Sequence, residues 1–138
     1  MRRSDRVACD TGPLVALSEP ADQFHDACAR AAADLPVPLL TIWPVVSEAL
    51  YLLRGSAGAL RLLAEIESGT IRVSGPTTED VPRIRELMGR YADLPADFVD
   101  LALFAFCERE NIRTVFTVDR RDFEIYRPRH VRRLKLVP

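Results

Sequence analysis

Leu94–Tyr126 reads LPADFVDLALFAFCERENIRTVFTVDRRDFEIY, and the spacing of its apolar residues decides the fold. Asp97 and Asp100 stand at the entry of a nearly unbroken apolar segment, Phe98 to Cys107. The polar break ERENIR separates it from a short Thr/Val/Phe run, Thr114 to Val118, which ends on Asp119. A segment apolar on almost every side is a buried element, and a short β-branched and aromatic run between turn signals is a buried strand. The stretch therefore predicts a core helix feeding a core strand, with carboxylates at the mouths of both. Ionised carboxylates in such places need a positive partner, hydrogen bonds or a metal.

Outward from this stretch the same alternation repeats. Residues 1–6 form a basic, loosely held start. Val7-Ala8-Cys9 reads as a short strand stopped by Asp10-Thr11-Gly12-Pro13, where Asp10 or Thr11 can cap a helix carrying Leu14 to Leu17. Residues 22–33 predict a helix with Phe24, Ala27, Cys28 and Ala31 inward and His25 on its surface. A second strand, Leu39 to Ile42, precedes a helix over 45–54 that bears Glu48 on its second turn. A helix over 57–67 shows Leu60, Leu63, Ala64 and Glu67 at helical intervals, and a third strand spans 71–73. The helix over 79–91 turns Val81, Ile84, Leu87 and Met88 inward and Arg83, Arg85, Glu86 and Arg90 outward. An edge-like strand over 131–137 follows the opening stretch. Short strands alternating with helices, without a hairpin signal, predict a three-layer α/β/α sandwich around a central parallel sheet, one domain over 1–138.

Composition narrows the function classes. With 48% hydrophobic and 28% charged residues in 138, the chain is an ordinary globular one. No apolar run reaches the ~18 residues of a membrane span, and the expected location is cytoplasmic. Cys9, Cys28 and Cys107 match no zinc pattern and read as reduced core thiols. The formal net charge of −1 divides into −5 over residues 1–118 and +4 over 119–138.

In open parallel sheets, ligands bind at the carboxyl ends of the strands, beside the point where strand order reverses. Asp10 and Asp119 each follow a predicted strand, Asp97 and Asp100 open the helix that feeds the last of these, and Glu48 stands early in an apolar helix. Each acid has a plainer role open to it. Asp10 or Asp97 can be a helix cap, Asp100 a helix-dipole acid, Asp119 a turn acid and Glu48 a solvated helix residue; Asp93 and Asp122 read as loop acids. Gathered on one rim, the carboxylates would repel one another unless a cation held them. Oxygen ligands alone favour Mg²⁺ or Mn²⁺ over zinc. Such an ion supports phosphodiester hydrolysis, and neither His25 nor His130 sits in a nucleophile-like context.

Three stretches, VACDTGPLVAL at 7–17, TIWPVVSEALYLL at 41–53 and LPADFVDLALFAFCEREN with TVFTVDRRDFEIYR, make the chain resemble the PIN domain family. More narrowly, they resemble its VapC-type toxins of toxin–antitoxin pairs. The resemblance implies a flavodoxin-like fold and a Mg²⁺- or Mn²⁺-dependent endoribonuclease. It further implies a homodimer silenced by a cognate antitoxin protein. It places the metal-site acids on Asp10, Glu48, Asp100 and Asp119, with Asp97 as a second-tier, outer contact. Leu101 departs from the alanine more usual after the third acid. Two other readings stay open: a PIN-like nuclease of RNA processing without an antitoxin, and a non-catalytic RNA- or protein-binding adaptor. Arg120 and Arg121, with Arg127 and Arg129, are the expected RNA phosphate contacts, and Trp43, Tyr91 and Tyr126 the aromatic candidates for bases. Leu50, Tyr51, Leu53 and Leu60 are the expected apolar surface for a dimer.

Overall fold

The structure is a computed structural model describing residues 6–138, so residues 1–5 of the basic start lie outside the described residues. Five short strands, β1 (Val7–Cys9), β2 (Leu39–Thr41), β3 (Ile71–Val73), β4 (Thr114–Phe116) and β5 (Lys135–Val137), form one sheet. Their order is β3-β2-β1-β4-β5, and every neighbouring pair is parallel. The chain winds outward from β1 to β3 and then crosses back to place β4 on the other side of β1. Strand order therefore reverses between β1 and β4, where Val7 faces Thr114 and Cys9 faces Phe116.

Helices flank the sheet. α1 (Thr11–Ser18) packs against α2 (His25–Ala33), α3 (Trp43–Leu52) and α4 (Gly58–Ser68), while α5 (Val81–Arg90) packs against α6 (Phe98–Glu110). A short α7 (Arg120–Ile125) joins β4 to β5. α6 is the helix that the opening stretch predicts. Leu101 to Cys107 are all buried, because the helix lies with core on every side. Asp97 caps its start, its carboxylate accepting the Asp100 N–H at 2.9 Å. Asn111, in the left-handed conformation at φ 54°, ends it, and the Ile112 N–H then bonds the Cys107 carbonyl at 2.8 Å to aim the chain into β4.

The faces that α5 and α2 turn inward differ from expectation, and that of α4 is set by close approach. In α4 the buried stripe is Gly58 and Leu62, with Ile66 partly covered, while Leu60 and Leu63 are 73% and 43% exposed and Ala64 is exposed as well. Close approach decides this: a Cβ on Gly58 would lie 3.0 Å from the Ser18 carbonyl oxygen, and Arg61 Nε donates to that same oxygen at 2.9 Å. In α5, Ile84 and Leu87 are buried but Val81 and Met88 are exposed. Arg83, expected outward, packs instead against α6, where Nε and Nη2 meet both Glu108 carboxylate oxygens at 2.7 and 2.8 Å. Phe24 is exposed, Cys28 alone is fully buried on α2, and His25 donates through Nδ1 to the Ala16 carbonyl, 2.6 Å away, tying α2 to α1. The last strand is confined to 135–137. The three cysteines are free and buried. Among the described residues no helix is long and apolar enough to cross a membrane.

The Arg83–Glu108 pair has side chains only 13% and 8% exposed, and Glu108 also accepts the Arg129 N–H at 2.8 Å. These partners outweigh burial and hold the Glu108 carboxyl below its ordinary pKa. Its ionised form therefore stabilises the fold above the ordinary carboxylate range, and that contribution is lost as pH falls through it. In denaturant titrations at pH 7, E108Q is expected to lose about 2 kcal/mol. The difference from wild type should shrink below about pH 4.

Candidate active site

Because β1 and β4 are neighbours, the residues that follow them emerge together at the carboxyl edge of the sheet. The Asp10 N–H continues the ladder by donating to the Phe116 carbonyl at 2.9 Å. Asp10 stands at the cap position of α1, yet its side chain makes no cap bond to the helix. It accepts instead the Thr117 hydroxyl at 2.9 Å, and Thr117 Oγ1 in turn accepts the Asp119 N–H at 3.0 Å. Thr117 is completely buried and connects the two acids. Sequence reading missed it; the available signal was a hydroxyl two residues before Asp119 in an otherwise apolar run.

A cleft of ≈ 410 Å³ opens at this edge, and Asp10, Glu48, Asp100 and Asp119 all line it. Glu48 reaches it from the second turn of α3, and Asp100 from the first turn of α6. Asp97 lines it too, although its carboxylate is engaged as the α6 cap. Asp122, expected to be a loop acid, belongs to the first turn of α7 and faces the same cleft. Gly12 makes this closeness possible, since a Cβ there would lie 2.4 Å from Val118 Cγ2. The Val118 side chain therefore packs directly on the bare Cα of Gly12, which brings the start of α1 against the loop bearing Asp119.

The crowding is written into the acidities. Burial is the main cause that pushes Asp10 up to about 6, with Glu48 and Asp119 adding to it, against the pull of the adjoining Thr11 N–H and the hydrogen bond from the Thr117 hydroxyl. Asp100 is pushed up to about 8, first by burial and then by Asp10, Asp97, Asp122 and Asp119. These carboxylates gain from any cation that enters the cleft. The lining donors are oxygen: the buried cysteines are absent from it, and His25 and His130 are turned to the Ala16 and Ile112 carbonyls. Such a set suits a hard divalent ion. Among the described residues no three acidic, histidine or cysteine side chains close into a ready-made cage. Mg²⁺ ordinarily keeps several waters and takes one or two carboxylates directly, so the wider arrangement fits it.

The arginines divide. Arg120 turns away from the cleft, donating to the Pro138 and Leu136 carbonyls at 2.8 and 3.4 Å, and lines a neighbouring groove with Arg127 and Arg133. Arg121 is exposed and close enough to Asp122 to oppose the rise in its pKa. Arg129 is elsewhere, bound to Glu86 at 2.9 Å. Tyr126, 3% exposed, is packed against Tyr91, Phe104 and Phe123, and Tyr91 is half-buried, so of the expected aromatics only Trp43 is open to solvent. Of the expected dimer surface, Tyr51 and Leu60 are exposed, Leu50 is partly buried, and Leu53 belongs to the core.

The PIN domain family model matches residues 7–127. The chain is similar to ribonuclease VapC26 of Mycobacterium tuberculosis, 28% identical over 136 residues that cover 94% of this chain and 98% of that protein. Among solved structures it is similar to the M. tuberculosis toxin VapC20, described as cleaving the sarcin-ricin loop. There the TM-score is 0.76 at 25% identity, covering 91% of this chain and 98% of that one. A toxin–antitoxin complex from Klebsiella pneumoniae shares the fold, with a TM-score of 0.68 at 14% identity over 85% of this chain and 89% of its own.

Two outcomes are expected from this geometry. A carboxyl whose folded pKa is raised costs stability once it ionises, so with chelator present the unfolding free energy should fall as pH rises from about 4 to about 8. D100N should flatten this decline and exceed wild type at pH 8 by about 1–2 kcal/mol, with Mg²⁺ narrowing the gap. G12A should push Val118 outward and weaken Mg²⁺ binding, measured by calorimetry, whereas G12A/V118A should recover it.

Proposed function

Because the chain belongs to the PIN domain family, we propose that it is a divalent-metal-dependent endoribonuclease, the toxin of a toxin–antitoxin pair, acting in the cytoplasm as one domain. The observation that carries this reading is the meeting of Asp10, Glu48, Asp100 and Asp119 in one cleft at the β1/β4 reversal. The names of its relatives, a ribonuclease and a toxin, support it.

In this reading the four acids hold Mg²⁺ or Mn²⁺, directly or through water. Bound there, the ion lowers the pKa of a water and neutralises charge on the phosphate oxygens. Thr117 keeps the Asp10 carboxylate aimed into the cleft and fixes the backbone of Asp119. A cleft carboxylate takes the proton from the attacking water as its oxygen bonds to phosphorus, and the departing ribose oxygen is protonated from solvent. No covalent enzyme intermediate is needed. Asp97 serves the site from outside, by fixing the N–H of Asp100. Arg121 beside Asp122, and Arg120 with Arg127 and Arg133 in the groove next to it, draw the RNA backbone toward the acidic cleft. The cognate antitoxin is the expected silencing partner, and the exposed Leu60 and Leu63 of α4 offer apolar surface to a second copy of the chain.

D10N should fold with an unchanged melting curve or a slightly higher one, and cleave RNA at least about a hundredfold more slowly. Chelator should abolish wild-type cleavage, and Mg²⁺ or Mn²⁺ should restore it. Undiminished, metal-dependent cleavage by purified D10N, followed on RNA gels, would remove the assignment. R120A/R121A should weaken RNA binding and flatten its salt dependence.

A further inference from the structure

The cleft has a second wall, chemically unlike its acids. Phe24 lines it, along with Leu52 and Val15. Phe24 is 40% exposed and Leu52 57%. Leu52 follows Glu48 by one helical turn, so the same face of α3 carries the acid and then the apolar surface. Among the described residues that line the cleft, Phe24 is the one aromatic.

Phe24 is exposed but not loose. Its N–H donates to Asp22 Oδ1 at 2.8 Å, its carbonyl accepts the Cys28 N–H at 2.9 Å, and the next residue, His25, is tied to the Ala16 carbonyl. The ring thus stands on a pinned backbone at the start of α2. An aromatic face left partly in water beside a polar site forgoes the burial that ordinarily stabilises such a residue.

We propose that Phe24, with Leu52 and Val15 beside it, is the stacking shelf for an unpaired RNA base next to the cleaved bond. This rests on the ribonuclease reading above. If the acids take the scissile phosphate, the bases attached to the adjoining riboses must lie within one nucleotide's reach, and the shelf is the apolar surface continuous with them. Stacking on an aromatic ring is available only to a base drawn out of a duplex, and every base has a face to offer. The shelf therefore selects single-stranded or looped RNA without choosing its sequence.

The test uses the full chain with Mn²⁺ and a short single-stranded oligoribonucleotide that wild type cuts, together with the same strand in a duplex. A set of oligonucleotides has one base at a time near the cut removed to leave an abasic ribose. F24A is expected to raise KM about tenfold with kcat changed less than about threefold; F24W should restore KM, and the duplex should be a poor substrate throughout. One abasic position should raise the wild-type KM by a similar factor and leave that of F24A unchanged, which loss of structure at Phe24 would not produce. An unaltered KM in F24A, or an equal abasic penalty in both proteins, overturns the shelf. If F24A instead weakens only the binding of a basic peptide, the surface belongs to a protein partner and the proposal also fails. Absence of any metal-dependent, Asp10-dependent cleavage by wild type removes the ribonuclease reading itself, a result distinct from cleavage that ignores Phe24.

Discussion

Parallel pairing of β1 with β4 is the constraint on which the site depends. Ladder hydrogen bonds along Val7–Cys9 and Thr114–Phe116, extended by the Asp10 N–H, bring Asp10 and Asp119 to the same edge across more than a hundred residues of sequence. Left to themselves, the carboxylates there would separate. The backbone bonds, the Thr117 hydroxyl between them and the bare Cα of Gly12 against Val118 prevent it. Repulsion that the chain cannot relieve by moving apart is relieved by protons or by a cation, and the raised pKa values of Asp10 and Asp100 record this.

The rest of the molecule supplies the rigidity that makes such crowding tolerable. α6 is buried from Leu101 to Cys107 and starts at the cleft, so Asp100 is fixed by the core beneath it. At its far end the helix is clamped by ions: Glu108 to Arg83, and Arg109 to Asp80 at 2.7 Å. Arg6, at the start of the described chain, reaches Glu110 at 3.5 Å. Opposite charges are thus paired on the α5–α6 side while like charges are gathered at the sheet edge. This partition separates groups that hold the fold from groups that fit chemistry, a common division between scaffold and site.

Much of this was legible in the chain because strand–helix alternation and buried apolar runs are local signals. The α/β/α sandwich, its parallel sheet and the burial of α6 follow from periods of two and 3.6 residues and from turn residues that interrupt them. Faces were harder to read where several assignments fitted the same helix. In α4 the helical spacing left more than one face open, and it is the meeting of Gly58 with Ser18 that turns Leu62 and Ile66 to the core. Arg83 looked like a solvated residue because nothing local announced Glu108, which lies 25 residues away.

For the site, the sequence by itself determined which acids follow strands and which open helices, since strand ends and helix starts are marked by neighbouring residues. It also pointed to oxygen donors, because no histidine stands beside these acids and the cysteines read as core thiols. Tertiary structure alone decided that β4 lies beside β1, that Thr117 links two acids, that Asp122 joins the cleft, and that Phe24 stands in its wall instead of in the core. The physical reason is range. Hydrogen-bonding pattern and helical period act over a few residues, whereas the order of strands and the closeness of Gly12 to Val118 are settled only when the whole chain packs.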